Sequence, residues 1–143
     1  ISCSDSSTKS SRLKEPPSSI PSDWGIEIEE GGGFSGLRTG YEFHAPDSTF
    51  AWSGKNKSSN RRFLGSLPAD SIFTIWQAIS ASHLLDSVSS TRPSNYTRSI
   101  TIFANGTEHS FSSSPGEEKS GVLRIASEIT TRIREMISSS FKF

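Results

Sequence analysis

Three histidines, two acidic runs and one cysteine are the groups in this chain with obvious chemical potential. The histidines are His44, His83 and His109. No two of them stand at helical metal-binding spacing, and neither HExxH nor CxxC occurs, so the pattern predicts no metal ligand. "HAPD" sets His44 and Asp47 across a turn, but no nucleophile motif accompanies them. His109 falls on the inward face of a predicted hairpin, where one ring nitrogen can reach backbone or water. The runs "EIEE" and "GEEKS" supply carboxylates. The first reads as the solvated face of a strand. In the second, Glu117 and Glu118 complement the positive end of a following helix. No pair of acids is set up for glycoside hydrolysis. The sequence therefore predicts no catalytic residue, no metal and no cofactor, and a non-enzymatic protein.

The glycines of "GGGFSG", Gly31 to Gly36, pose a second question. A phosphate cradle places its glycines between a strand and a helix, where free amides meet the anion. Here strand-like residues follow, and no lysine motif appears. What is left is a strand connection in which glycines supply positive φ. Phe34 is then either tucked into the core, the commoner fate of a large aromatic, or displayed at the tip.

Cys3 is the only cysteine, so no internal disulfide can form. "ISC" before "SDSSTKSS" matches the end of a bacterial lipoprotein signal peptide, in which the cysteine receives the lipid. The alternative is a chance cysteine in a polar segment. On the first reading Cys3 is the lipidation site and holds the protein in the bacterial cell envelope, on the periplasmic or extracellular face, with membrane contact through the anchor alone.

The 143 residues suffice for one domain, and 15 basic residues balance 15 acidic ones. Phosphate binding needs a local basic surplus, which only "KNKSSNRR" approaches, so nucleic acid is not an expected partner. No apolar run nears the ~18 residues of a spanning helix. Residues 1–22 are Ser-, Pro- and charge-rich and read as a disordered tether. The domain is expected over 23–138, with 139–143 as a tail, in a monomer.

Within the domain, "WGIEIEE" alternates apolar and acidic residues, the period of a strand with one buried face. "LRTGYEFHA" alternates again, with Leu37, Tyr41, Phe43 and Ala45 inward and Gly40 marking a bulge or a close crossing. "TFAWSGK" is a third strand, and "RRFLGSL" a candidate edge strand. The period then changes to three-and-four in "SLPADSIFTIWQAISASHLLD", a helix with Ser66 placed to cap it and Pro68 in its first turn. Asn105-Gly106 is the preferred two-residue hairpin turn. It fixes the register: Ala104 opposite Thr107, Phe103 opposite Glu108, Ile102 opposite His109, Ile100 opposite Phe111. In "VLRIASEITTRIREMI" one helical stripe runs through Val122, Ile125, Ala126, Ile129, Ile133, Met136 and Ile137. The expected fold is α+β, an antiparallel sheet of four to six strands with two α-helices packed on one face.

The order "EGGGFSGL", then a Leu-Pro helix, then "YTRSITIFANGTEHSFS" and a final amphipathic helix, resembles the emfourin family. These are small bacterial proteins named for an inhibitor of protealysin, a thermolysin-like zinc metalloprotease. The residues closest to the family pattern are Gly32, Gly33, Phe34, Gly36, Leu67, Tyr96, Gly106 and His109. The resemblance spans about Trp24 to Ile137. It implies an inhibitor of a thermolysin-like metalloprotease, with Gly32, Gly33, Phe34, Ser35 and Gly36 as the partner-binding loop. The long tether departs from a bare inhibitor and leaves open an envelope binding or structural module with no inhibitory activity.

Overall fold

The computed structural model describes residues 20–91, 94–114 and 121–141. The chain is α+β, a seven-stranded sheet with two long helices. Strands β1 (Gly25–Gly32), β2 (Leu37–His44) and β3 (Ser48–Gly54) form an antiparallel meander. A one-turn helix α1 (Lys57–Asn60) leads into β4 (Arg62–Ser66), which pairs with β3. Helix α2 (Ala69–Ser82) and a 3₁₀ turn (Leu84–Asp86) follow. Then come β5 (Ser90–Thr91), the hairpin β6 (Tyr96–Ala104) with β7 (Thr107–Ser113), and helix α3 (Gly121–Ser140). The spatial order β4-β3-β2-β1-β6-β7-β5 puts β1 at the centre.

Two features depart from the expected antiparallel sheet of four to six strands. The described residues form seven strands, and β5 runs parallel to β7. This strand is two polar residues long, so no hydrophobic period marks it. Backbone pairing of Ser90 and Thr91 with Phe111 and Ser112 makes it, helped by Ser110 N–H donating to Ser89 Oγ at 2.9 Å.

The hairpin register is the one the Asn105-Gly106 turn dictates, from Ala104↔Thr107 to Ile100↔Phe111. On the helix side, Ile26 lies between Phe43 and Ile102, and Ile28 between Tyr41 and Ile100. Trp24, Ile26, Ile28, Phe43, Ile100, Ile102 and Phe111 are all buried in one cluster with residues of both helices. Trp24 anchors it, with its ring 4.9 Å from Phe43 and 5.2 Å from Trp76. Tilted and edge-on contacts of this kind add to the area buried.

Three expectations of detail need correction. Leu37 is half exposed instead of inward, because it sits at the loop end of β2. Pro68, not Ser66, precedes α2, and no side chain caps that helix. The buried stripe of α3 is Leu123, Ala126, Ile129, Thr130, Ile133 and Ile137, while Ile125 faces solvent. Ala126, Ile129, Ile133 and Ile137 are buried as expected and Val122 and Met136 pack partly buried against the core, so the stripe is rotated by only about half a residue step, toward Leu123 and Thr130. Thr130 tolerates burial because its hydroxyl donates to the Ala126 carbonyl at 2.7 Å. Residues 139 and 140, read as tail, complete α3, and Phe141 and Ile20 pack against the core. Cys3, most of the tether and the pair Glu117–Glu118 lie outside the described residues.

This packing separates two isoleucines of α3 and β6 that the sequence places on equal footing. Ile102→Ala should cost about 2–5 kcal/mol, the usual range for a fully buried isoleucine. Ile125→Ala should stay within about 0.5 kcal/mol. Urea denaturation of both variants reads the difference, and equal losses would contradict the helix phase described above.

Candidate functional site

The β1–β2 connection is a four-residue loop, Gly33 to Gly36, and Phe34 at its tip is fully exposed. The displayed alternative therefore holds, and Phe34 takes no part in the core. The glycines explain why the chain can do this. Gly32 has φ 116°, and a Cβ there would stand 2.0 Å from the Asn95 carbonyl oxygen, so only glycine lets β1 pass so close to the entry of β6. Gly33 and Gly36 take φ of 75° and 69°, which L side chains rarely adopt.

The loop is tied down at its base. Gly33 N–H donates to Asn95 O at 2.6 Å, Gly36 N–H to Gly33 O at 3.2 Å, and Leu37 N–H to Ser35 Oγ at 3.1 Å. Just below, Arg38 spans three strands. Its Nε donates to Glu29 at 2.7 Å, Nη1 to Gly31 O at 2.9 Å and Nη2 to Thr97 Oγ1 at 3.0 Å. Tyr96, in register with Gly32, donates its hydroxyl to Glu30 at 2.9 Å and keeps part of its ring in solvent. Phe34, Leu37 and Tyr96 thus make an apolar tip at one end of the sheet, on a clamped base.

The expected partner-binding residues fall together as one feature. Gly32 closes β1, and Gly33, Phe34, Ser35 and Gly36 form the loop itself. The histidines do not converge. His44 lies on the sheet face away from the helices. His109 faces inward, with Nδ1 3.4 Å from Ser87 O. His83 is an exposed left-handed residue after α2. Among the described residues no three His, Cys, Asp or Glu side chains stand close enough to hold a metal ion. Nor, among them, is any helix long and apolar enough to cross a membrane.

Sequence reasoning missed the organisation of the sheet face opposite the two long helices. Glu42 points to that face yet is only 3 % exposed. His44 Nε2 lies 2.9 Å away, Arg61 Nε 3.2 Å from both carboxylate oxygens, and Lys57 Nζ 3.4 Å. Lys57 also reaches Glu27 at 3.2 Å, and Arg61 lies over the Phe50 ring at 3.6 Å. Burial alone would raise the Glu42 carboxyl, but the hydrogen bond from His44 and the charges of Lys57 and Arg61 outweigh it and hold it below its ordinary range. Trp52 covers the adjoining row. A side chain at Gly40 would meet its indole at 2.6 Å, which is the close crossing that Gly40 marks. The missed signal was the phase of "YEFH": Glu42 falls on the face opposite Phe43, but nothing in the sequence says that α1 would bring Lys57 over it.

No protein-family model matches the chain, and no curated protein matches it in sequence. The likeness to emfourins rests on motif order alone.

The Glu42 cluster gives a pH signature. A carboxyl depressed in the folded state stabilises above its unfolded pKa of ~4.3, and that contribution is lost as pH falls through the folded value. Glu42→Gln should lower stability at pH 7 by about 1–3 kcal/mol, since Arg61 loses its anion while Lys57, also partly exposed, keeps Glu27. Urea midpoints from pH 7 down to about pH 3 should fall less steeply in the variant than in the wild type. Parallel profiles would show that Glu42 is not depressed.

Proposed function

We propose that this is a non-enzymatic binding domain that inserts the Phe34 loop into an apolar pocket of a partner protein, in the manner of an inhibitor of thermolysin-like metalloproteases. The observation that carries the reading is the full exposure of Phe34 on a loop whose base is fixed. A lone exposed ring is ordinary, but Phe34 shares its end of the sheet with exposed Leu37 and Tyr96, and grouped apolar surface invites association. The Phe34 ring sits on a loop held by three internal hydrogen bonds and by the Arg38 clamp. Such preordering lowers the entropy lost when the loop enters a cleft.

A thermolysin-like cleft binds extended chain and takes a large apolar side chain in its main pocket. A tip of Phe34 flanked by Leu37 and Tyr96 suits that chemistry, and the inhibitor itself needs to supply no zinc ligand. Lipidation of Cys3 in the cell envelope would hold the domain at a membrane surface, where it would meet secreted enzymes. If inhibition is absent, the same tip serves an envelope binding module whose partner offers a comparable apolar pocket.

Progress curves of a thermolysin-like protease should show inhibition by the wild-type domain at micromolar concentration or below. Phe34→Ala should weaken it at least about 100-fold, the scale of a central aromatic anchor, with an unchanged melting temperature. Arg38→Ala should weaken it less, by about tenfold, through a looser loop. A wild type that leaves the protease fully active at tens of micromolar removes the inhibitor reading.

A further inference from the structure

At the opposite end of β1 from Phe34, a cleft of about 510 Å³ opens on the face opposite the two long helices. Its shape follows from one missing side chain. Strand pairing sets His44, Gly25, Phe103 and Glu108 in a row across β2, β1, β6 and β7. Gly25 contributes nothing above the sheet, so a gap is left between the His44 and Phe103 rings. Two strand spacings separate their backbones, roughly 10 Å. Side chains stand nearly perpendicular to the sheet, so the gap admits one planar group beside the Phe103 ring, with the Nδ1 edge of His44 on its other side. Gly25 cannot be filled in place, because a Cβ there would lie 2.8 Å from the Phe43 carbonyl oxygen.

The carboxylates round the gap make it acidic. Asp23, Glu27 and Glu108 line the cleft, and no lysine or arginine is among its described lining residues. Asp23 accepts the Asn105 and Gly106 amides at 2.9 and 2.7 Å, which hold its carboxyl below the ordinary range and fix it at the rim. His44 adds another acceptor. Its Nε2 faces the Glu42 carboxylate and must donate to it. In the neutral ring Nδ1 then carries the lone pair, and Nδ1 borders the space above Gly25.

We propose that this cleft binds an arginine side chain of a partner protein, with the guanidinium seated over Gly25, one N–H donated to His44 Nδ1, one face laid on the Phe103 ring and its outer edge paired with Asp23, while Glu108 adds negative charge from beyond Phe103. The chemistry selects arginine over lysine. A guanidinium is planar, stacks on an aromatic face and donates through a fixed fork, whereas an ammonium has no flat face to lay on the Phe103 ring. The volume takes an arginine together with adjoining backbone. Glu27, already joined to Lys57 at 3.2 Å, sets the inner limit of the site and is not its principal anion. The site does not depend on the Phe34 loop.

The test uses the full chain, titrated with N-acetyl-arginine amide and followed by backbone amide NMR shifts at low salt. Saturable shifts should centre on Gly25, His44, Phe103 and Glu108. N-acetyl-citrulline amide keeps the shape but not the charge and should bind at least about tenfold more weakly. Phe103→Leu should weaken the arginine probe by about three- to tenfold, and Glu108→Gln by about twofold through lost long-range attraction, both at unchanged melting temperature. Equal binding of citrulline, no saturation, or unchanged affinity in either variant would overturn the assignment.

Discussion

Ile26 and Ile28 meet apolar neighbours on both flanking strands, and the helices close over that row from above. The rest of the molecule depends on this seam. Each fully buried side chain of this size gains roughly 1.5–3 kcal/mol from leaving water. The gain is concentrated on the helix side of β1, where Trp24, Phe43, Ile100, Ile102 and Phe111 also converge. A strand with both edges paired and one face sealed has no freedom to slip, since a shift of one residue would turn its acids into the core. β1 is therefore the rigid axis of the domain, and the register of β2 and β6 follows from it.

Two helices cover only one side, so the other face must satisfy itself. It does so by pairing charge within the sheet and laying aromatic rings across it. Arg38 meets Glu29, and Lys57 bridges Glu27 and Glu42. Arg61 joins Glu42 while lying on Phe50, and Trp52 lies over Gly40. Glu42 is the extreme case. Few isolated carboxylates could be so buried, and this one is because three donors converge on it. The short helix α1 owes its place to the same cluster, since Lys57, its first residue, reaches two strands of the meander.

Much of this was legible in the residues and some could not have been. The hairpin register followed from Asn105-Gly106, because a two-residue turn with positive φ leaves no alternative pairing. The inward faces of β1 and β6 followed from strict alternation. The phase of α3 did not, because Thr130 replaces an apolar residue on the buried stripe and Ile125 sits one step off it; periodicity counts types, and a threonine bonded to its own helix is counted as polar. β5 left no trace because two backbone pairs need no particular side chain. For Phe34, composition could place it in a glycine turn but not choose between core and solvent. That choice depends on where the helices end, which is a tertiary fact. The Glu42 cluster and the gap over Gly25 were likewise invisible, since each joins residues from three or more strands that only the strand order brings together.

The two surface features suited to binding lie at the two ends of β1, and both arise where that strand gives up side chains. At Gly31 and Gly32 the missing Cβ atoms let neighbouring backbone close in, and the chain is free to project an aromatic ring. At Gly25 the missing side chain leaves a gap between two rings instead of a projection. Eight residues of extended strand separate them, roughly 25 Å. One end offers an apolar knob and the other an acceptor-lined hole, so a single small ligand cannot occupy both. A partner that engages the tip leaves the cleft open. Strand pairing on both edges of β1 holds the two surfaces at a fixed distance and orientation, so a change at one end is not relayed by sliding of the strand to the other.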